Sequence, residues 1–181
     1  MNHPEWIAIL DYGSQVTQLI ARRLREQHVY CEILRYDTPA EELRERAPKG
    51  IILSGGPCSV PDSDSPKCDP ALFDLAIPML GICYGMQLTA HALGGEVQRG
   101  EKHEYGKATM RITKPSPLDE GMQDEVQVWM SHGDKVVSLP EGFETVAESD
   151  NCPHATMQHL ERALFLSLIH ISEPTRLSLI A

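Results

Sequence analysis

No stretch of this chain is apolar for long enough to span a membrane, and Asp11 and Arg22 interrupt the only early apolar segment, which removes a signal peptide. The chain is therefore expected to be cytoplasmic. Basic residues are outnumbered, with 16 Lys and Arg against 26 Asp and Glu and a formal net charge of −10. Such a surface repels phosphate backbones and anionic lipid, so neither nucleic acid nor membrane is expected as a partner. The five cysteines, Cys31, Cys58, Cys68, Cys83 and Cys152, contain no C-x-x-C pair. Their spacings suit neither a zinc site nor a secreted disulfide framework, so no metal is expected. There is also no Walker-type or pyrophosphatase loop to hold nucleotide phosphates. What is present is the balance of an ordinary globular protein, 41% hydrophobic and 23% charged over 181 residues. That length makes one domain with a sizeable core.

The first half alternates strand and helix signals. Trp6 to Asp11, Tyr30 to Tyr36, Gly50 to Ser54 and Ile77 to Ile82 are short apolar runs of strand length. Between and after them lie helical stretches at Gln15 to Gln27, Pro39 to Arg46, Ala71 to Ala76 and Tyr84 to Leu93, the last stopped by Gly94 and Gly95. Strands separated by helices imply a parallel sheet covered on both faces. A doubly wound, mostly parallel α/β sheet of flavodoxin-like form follows from the handedness of such crossovers. The second half instead shows strands at Thr109 to Thr113, Val126 to Met130 and Thr145 to Ala147, joined by Pro- and Gly-containing turns. They predict an antiparallel extension of the same domain.

One cysteine stands apart. In Gly81-Ile82-Cys83-Tyr84-Gly85 a cysteine lies between a strand and a helix, with glycine two residues away on each side. This is the cysteine form of a nucleophile elbow, in which small flanking residues let strand and helix approach closely. A thiol at a helix start is expected to have a lowered pKa, and Tyr84 N–H can face a reacting carbonyl. Taken by itself the pattern also fits a small buried residue at a strand end. A second loop, Ser54-Gly55-Gly56-Pro57, follows another parallel strand and so shares the sheet edge where open α/β folds bind ligands. Alone it would be a tight turn.

Gly81-Ile82-Cys83-Tyr84-Gly85-Met86-Gln87 resembles the nucleophile motif of class I glutamine amidotransferases. Four further stretches resemble the GMP synthase branch of that family: Asp11-Tyr12-Gly13-Ser14-Gln15, Ser54 to Pro57 with Ser59-Val60, Gly100-Glu101 through Glu104-Tyr105-Gly106, and Val128-Trp129-Met130-Ser131-His132-Gly133-Asp134. They run in the family's order from Ile7 to about Phe165. The resemblance implies that Cys83 attacks the side-chain amide of L-glutamine, giving a glutamyl thioester, glutamate and ammonia. Gly56 and Tyr84 would supply oxyanion-hole amides, and Gln87, Ser131, Gly133 and Asp134 would hold the amino-acid end of glutamine. His132 and His91 carry no assigned role. No cofactor is implied for this domain. ATP and Mg belong with a synthetase partner, an ATP-pyrophosphatase domain that aminates XMP to GMP and is absent here.

The end of the chain departs from the pattern. The family completes its triad on a strand reading like Val-Gln-Phe-His-Pro-Glu, whereas this chain continues Leu166-Ser167-Leu168-Ile169-His170-Ile171-Ser172-Glu173. By count His170 takes the place of the catalytic histidine, while Ser172 takes that of the glutamate. Leu166 to Arg176 resembles an in-frame translation of a sequencing adapter, and Leu-Ser-Leu-Ile recurs at Leu177 to Ile180. The expected organisation is therefore an amidotransferase domain over 1–165, incomplete at its C-terminus, followed by a non-native tail over 166–181. Two other readings remain open: another cysteine hydrolase of the same fold, and a non-catalytic module binding glutamine or a synthetase.

Overall fold

The structure is a computed structural model that describes residues 5–168, with the backbone alone for 100–105 and 131–132. Within it, five strands run parallel: β1 (Ile7–Asp11), β2 (Cys31–Arg35), β3 (Gly50–Leu53), β4 (Met79–Ile82) and β9 (Leu164–Ser167). The others, β5 (Glu96–Ile112), β6 (Glu125–Ser138), β7 (Glu144–Ser149) and β8 (Thr156–His159), pair antiparallel. All nine form one sheet in the order β2-β1-β3-β4-β9-β8-β7-β5-β6. Three helices accompany them: α1 (Thr17–Glu26), α2 (Ala40–Arg46) and α3 (Tyr84–Ala92).

Side chains along the parallel strands alternate between two cores, as a two-residue period requires. Ala8, Leu10, Ile51, Leu53, Met79, Leu164 and Leu166 face α2 and α3 with Leu43, Met86, Leu88 and Ala90. Ile7, Ile9, Ile33, Ile52, Leu80 and Ile82 face the other way, toward Ile20, Ala21 and Leu24 of α1. Strands apolar on both faces are what a sheet sandwiched between helices demands. Order reverses around β1, whose neighbours are β2 and β3, so the loops after β1 and β3 diverge over a crevice at the carboxyl edge. Asp11 fixes the first of these loops, accepting from Gly13 N at 2.9 Å and Thr17 Oγ1 at 2.8 Å.

The expected doubly wound sheet with an antiparallel extension is the one observed, with differences in detail. The expected helix at 71–76 is a 3₁₀ turn, Pro70–Asp74, started by Asp69 accepting from Ala71 N. Residues 109–112 are the end of a strand 17 residues long, with Thr113 just past it, and 126–130 belong to the first half of a strand of 14 residues; glycines such as Gly100 and Gly133 disguised the full lengths. Ser131 to Asp134, expected in a loop, belongs to β6. Strand β9 crosses the expected domain boundary at 165: Leu166 pairs with Gly81 and is fully buried. Leu166→Ala should therefore destabilise the fold by about 2–5 kcal/mol. Urea unfolding followed by circular dichroism checks this, and an unchanged midpoint would place Leu166 outside the core.

Candidate active site

Cys83 lies between β4 and α3, at the helix N-cap, with φ 50° and ψ −105°. A non-glycine residue at positive φ is strained and persists only where its surroundings over-determine it. Here the determinants are the two glycines. A Cβ on Gly85 would strike Leu53 O and come within 2.6 Å of Leu53 Cβ, while one on Gly81 would lie 2.7 Å from Leu166 Cδ2. The first turn of the helix thus packs directly on β3, and Gly81 of β4 fits between that turn and Leu166 of β9; Gly85 N donates to Ser54 O at 3.1 Å. Cys83 N donates to Ser167 O at 2.8 Å, which ties the turn to β9 as well.

The Gly55-Gly56 loop abuts this elbow. A Cβ on Gly56 would lie 2.8 Å from Tyr12 O and 3.3 Å from Tyr84 Cγ, so Gly56 is wedged between the loop after β1 and the head of α3. Ser54, fully buried, accepts from Tyr12 N at 3.1 Å and donates to Gly55 O at 2.9 Å. The rings of Tyr12 and Tyr84 pack at 5.2 Å between centroids, and burial raises the pKa of both phenols. Tyr84 is pinned further by its hydroxyl, which donates to Pro66 O at 2.5 Å. Gly56 and Tyr84, the two residues expected to supply oxyanion-hole amides, are therefore neighbours beside Cys83. Amides at a helix start lack intrahelical acceptors, which suits them to a developing anion.

Strand β6 closes the third side. Gln87, buried on α3, donates from Nε2 to Asp134 O at 3.0 Å. Its amide is thus engaged in holding β6 against the nucleophile helix rather than directed wholly at a ligand. The Asp134 carboxylate is also buried and accepts from Ser59 Oγ at 2.5 Å. Opposite, the β5–β6 register shifts between Arg99 and Glu104: Arg99 faces Asp134 and Glu104 faces His132, so four residues of β5 bulge against Gly133. Bulges re-aim strands beside active sites. Sequence patterns gave neither Ser59 nor Arg99 a role in this site, although Ser59 belongs to a stretch singled out above and Arg99 adjoins another. Ser131 contributes backbone to β6, and its side chain lies outside the described part of the structure, as does that of His132.

His170 lies outside the described residues, as do Ser172 and Glu173. What the structure does place at the nucleophile is Leu168, whose carbonyl accepts from Cys83 Sγ at 3.2 Å. The thiol is buried, and burial pushes its pKa up to about 12. This runs against the expectation of a lowered pKa: loss of hydration disfavours the thiolate. Of the other cysteines, Cys31, Cys68 and Cys152 are buried and Cys58 is exposed. Among the described residues no group of three or more His, Cys, Asp or Glu side chains converges to hold a metal ion, and no helix is long and apolar enough to cross a membrane.

Residues 8–168 match the family described as "Glutamine amidotransferase class-I". The chain is 54% identical over 161 residues to the GMP synthase [glutamine-hydrolyzing] of Gloeobacter violaceus, an alignment covering 89% of this chain and 29% of that protein. With the GMP synthase of Chromobacterium violaceum it shares 54% identity over 167 residues, covering 88% and 32%. The chain thus spans about a third of the length of these relatives. Among solved structures, a Thermoplasma acidophilum protein provisionally described as a GMP synthase subunit superposes with a TM-score of 0.78 at 28% identity, over 93% of this chain and 84% of that one.

The raised thiol pKa has a direct readout. Iodoacetamide labelling of Cys83 should be slow at neutral pH and rise about tenfold per pH unit up to about pH 10, without a plateau. Exposed Cys58 should label first. Residue-resolved mass spectrometry checks both, and a Cys83 plateau below about pH 8 would show a stabilised thiolate instead.

Proposed function

Because this chain belongs to the class I glutamine amidotransferase family, we propose that it is the glutamine-hydrolysing portion of a GMP synthase, acting through Cys83. The observation that carries this reading is the strained backbone of Cys83 at the head of α3, held there by the contacts of Gly81 and Gly85. Such strain is maintained where a side chain must project into a reaction space. In the proposed reaction Cys83 Sγ gives up its proton, which ends on the departing nitrogen, and forms a bond to the side-chain carbonyl carbon of glutamine. The carbonyl oxygen becomes an oxyanion facing the amides of Gly56 and Tyr84. Proton delivery to nitrogen then breaks the C–N bond, ammonia departs, and a thioester remains. Water cleaves the thioester to glutamate and returns the thiol.

Ammonia would pass to an ATP-pyrophosphatase domain that uses ATP and Mg to aminate XMP to GMP. That role rests on the identity to GMP synthases, of which this chain spans about a third. The acidic composition, with a net charge of −10, argues against nucleic-acid or anionic-membrane partners. We place the amidotransferase domain at 1–165, with a foreign tail from 166 whose first residues complete β9 by apolar character. His170, if it reaches Cys83, lacks the carboxylate that would orient its ring, since Ser172 stands at that position.

A second reading has its own observation. The thiol of Cys83 is buried and bonded to Leu168 O, which suits a glutamine- or partner-binding module without turnover. One comparison separates the two. Replacing Leu166 onward by Gly-Val-Gln-Phe-His-Pro-Glu supplies a supported general acid, a contribution of about 10²–10⁴-fold. Glutamate release should rise by that factor and vanish on adding Cys83→Ala, but not on Cys31→Ala, Cys58→Ala, Cys68→Ala or Cys152→Ala. Equal rates with both endings would show the present ending to be functional, and activity surviving Cys83→Ala would remove the mechanism.

A further inference from the structure

The carboxylate of Asp134 sits inside the protein, and burying a charge is costly unless a partner compensates. Its partner comes from far away in the chain. Ser59, three residues beyond Gly56, donates its hydroxyl proton to Asp134 Oδ2 across a separation of 75 residues. A hydroxyl has one proton, and what it receives on its oxygen decides where that proton points. Here Arg99 Nε donates to Ser59 Oγ at 3.4 Å, leaving the proton to Asp134. Arg99 is in turn held by Asp62, on the same loop as Ser59, at 2.5 Å. Meanwhile the main-chain carbonyl of Asp134 accepts from Gln87 on α3. One residue therefore touches both the nucleophile helix and the segment that follows the Gly55-Gly56 loop.

We infer that the Asp134 side chain is a positioning residue, which through Ser59 fixes the glutamine-facing strand β6 to the loop that offers the Gly56 amide. The backbone explains why a side chain must do this. Regular pairing with β5 breaks between Arg99 and Glu104, right beside Asp134, so at that point the ladder cannot set the depth of β6. The tie from Asp134 to Ser59 replaces it. The separation between the strand facing the substrate's amino-acid end and the loop facing its reacting carbonyl is then held by a charge-assisted hydrogen bond. This inference rests on the glutaminase reading and adds to it what aligns the two halves of the substrate site.

The test measures inactivation of the unmodified chain by a chloroketone analogue of glutamine, with iodoacetamide as a reagent that needs no recognition. Ser59→Ala and Asp134→Ala should each lower the second-order rate of Cys83 alkylation by the analogue roughly 10- to 100-fold. The double variant should be no slower than the slower single one, because both remove the same bond. Ser59→Thr, which keeps the hydroxyl, should recover to within a few fold. Iodoacetamide rates at Cys83 should stay the same in all of them. If Asp134→Ala fails to fold by circular dichroism, the Ser59→Ala and Ser59→Thr pair decides alone. Undiminished analogue labelling, or equal losses with both reagents, would overturn the positioning role and leave the glutaminase reading standing. Failure of the analogue to label the unmodified chain, while iodoacetamide does, would overturn both.

Discussion

The site depends on one steric constraint, the contact between the first turn of α3 and the end of β3. Gly85 rests on Leu53 with no room for a β-carbon, and its amide is bonded to Ser54 O. That contact fixes where the helix begins. The turn between β4 and α3 must then be sharp, and Cys83 takes up the strain at φ 50°. Because Ser54 is both the acceptor for Gly85 and the first residue of the Gly55-Gly56 loop, the same contact sets the separation of the nucleophile from its oxyanion donors. Interiors packed at crystal density transmit such displacements rather than absorb them.

Around that contact the chemistry is arranged by loops and strands that are remote in sequence. Tyr12 comes from the β1 loop, Gly56 from the β3 loop, Tyr84 from the elbow and Asp134 from β6. All but the last arise at the carboxyl edge of the parallel strands, and the crevice where the order reverses around β1 accounts for it. Burial of Tyr12, Tyr84 and Cys83 makes this edge a low-dielectric wall. Hydrogen bonds directed into such a wall are stronger than in water, and so are the costs of charging the thiol.

Much of this was legible in the sequence because local rules were obeyed. The apolar runs of β1, β3 and β4 and the G-x-C-x-G spacing pointed directly to the parallel half and the elbow. The antiparallel half was less legible. Strand β5 runs through Gly100 and Gly106 and β6 through Gly133, and glycine in a strand weakens any periodic signal. Strands β8 and β9 are short, four residues each, and what makes them strands is their pairing with each other and of β9 with β4. The thiol's pKa was misjudged because a sequence shows the helix start but not the burial. The roles of Ser59 and Arg99 were missed for a related reason: they lie in hydrogen bonds from Ser59 to Asp134 and from Arg99 to Ser59 that no spacing reveals.

The pairing of β4 with β9 has a consequence for how the molecule comes into being. Met79 to Ile82 lies beside Leu164 to Ser167 in the sheet, and the whole antiparallel half is synthesised between them. While the ribosome makes that half, β4 has β3 on one side only and is an edge strand carrying the apolar side chains of both cores. Contacts of such long range form slowly, since their loop entropy must be overcome first. A nascent or shortened chain that lacks Leu164 onward therefore presents an open, sticky edge at the very strand that leads to Cys83. The amide of Cys83 finds its acceptor, Ser167 O, only when the last described strand arrives. The reactive turn is thus fully tied down only with β9 in place, and the strained setting of the thiol is complete no earlier than the closing of the sheet around it.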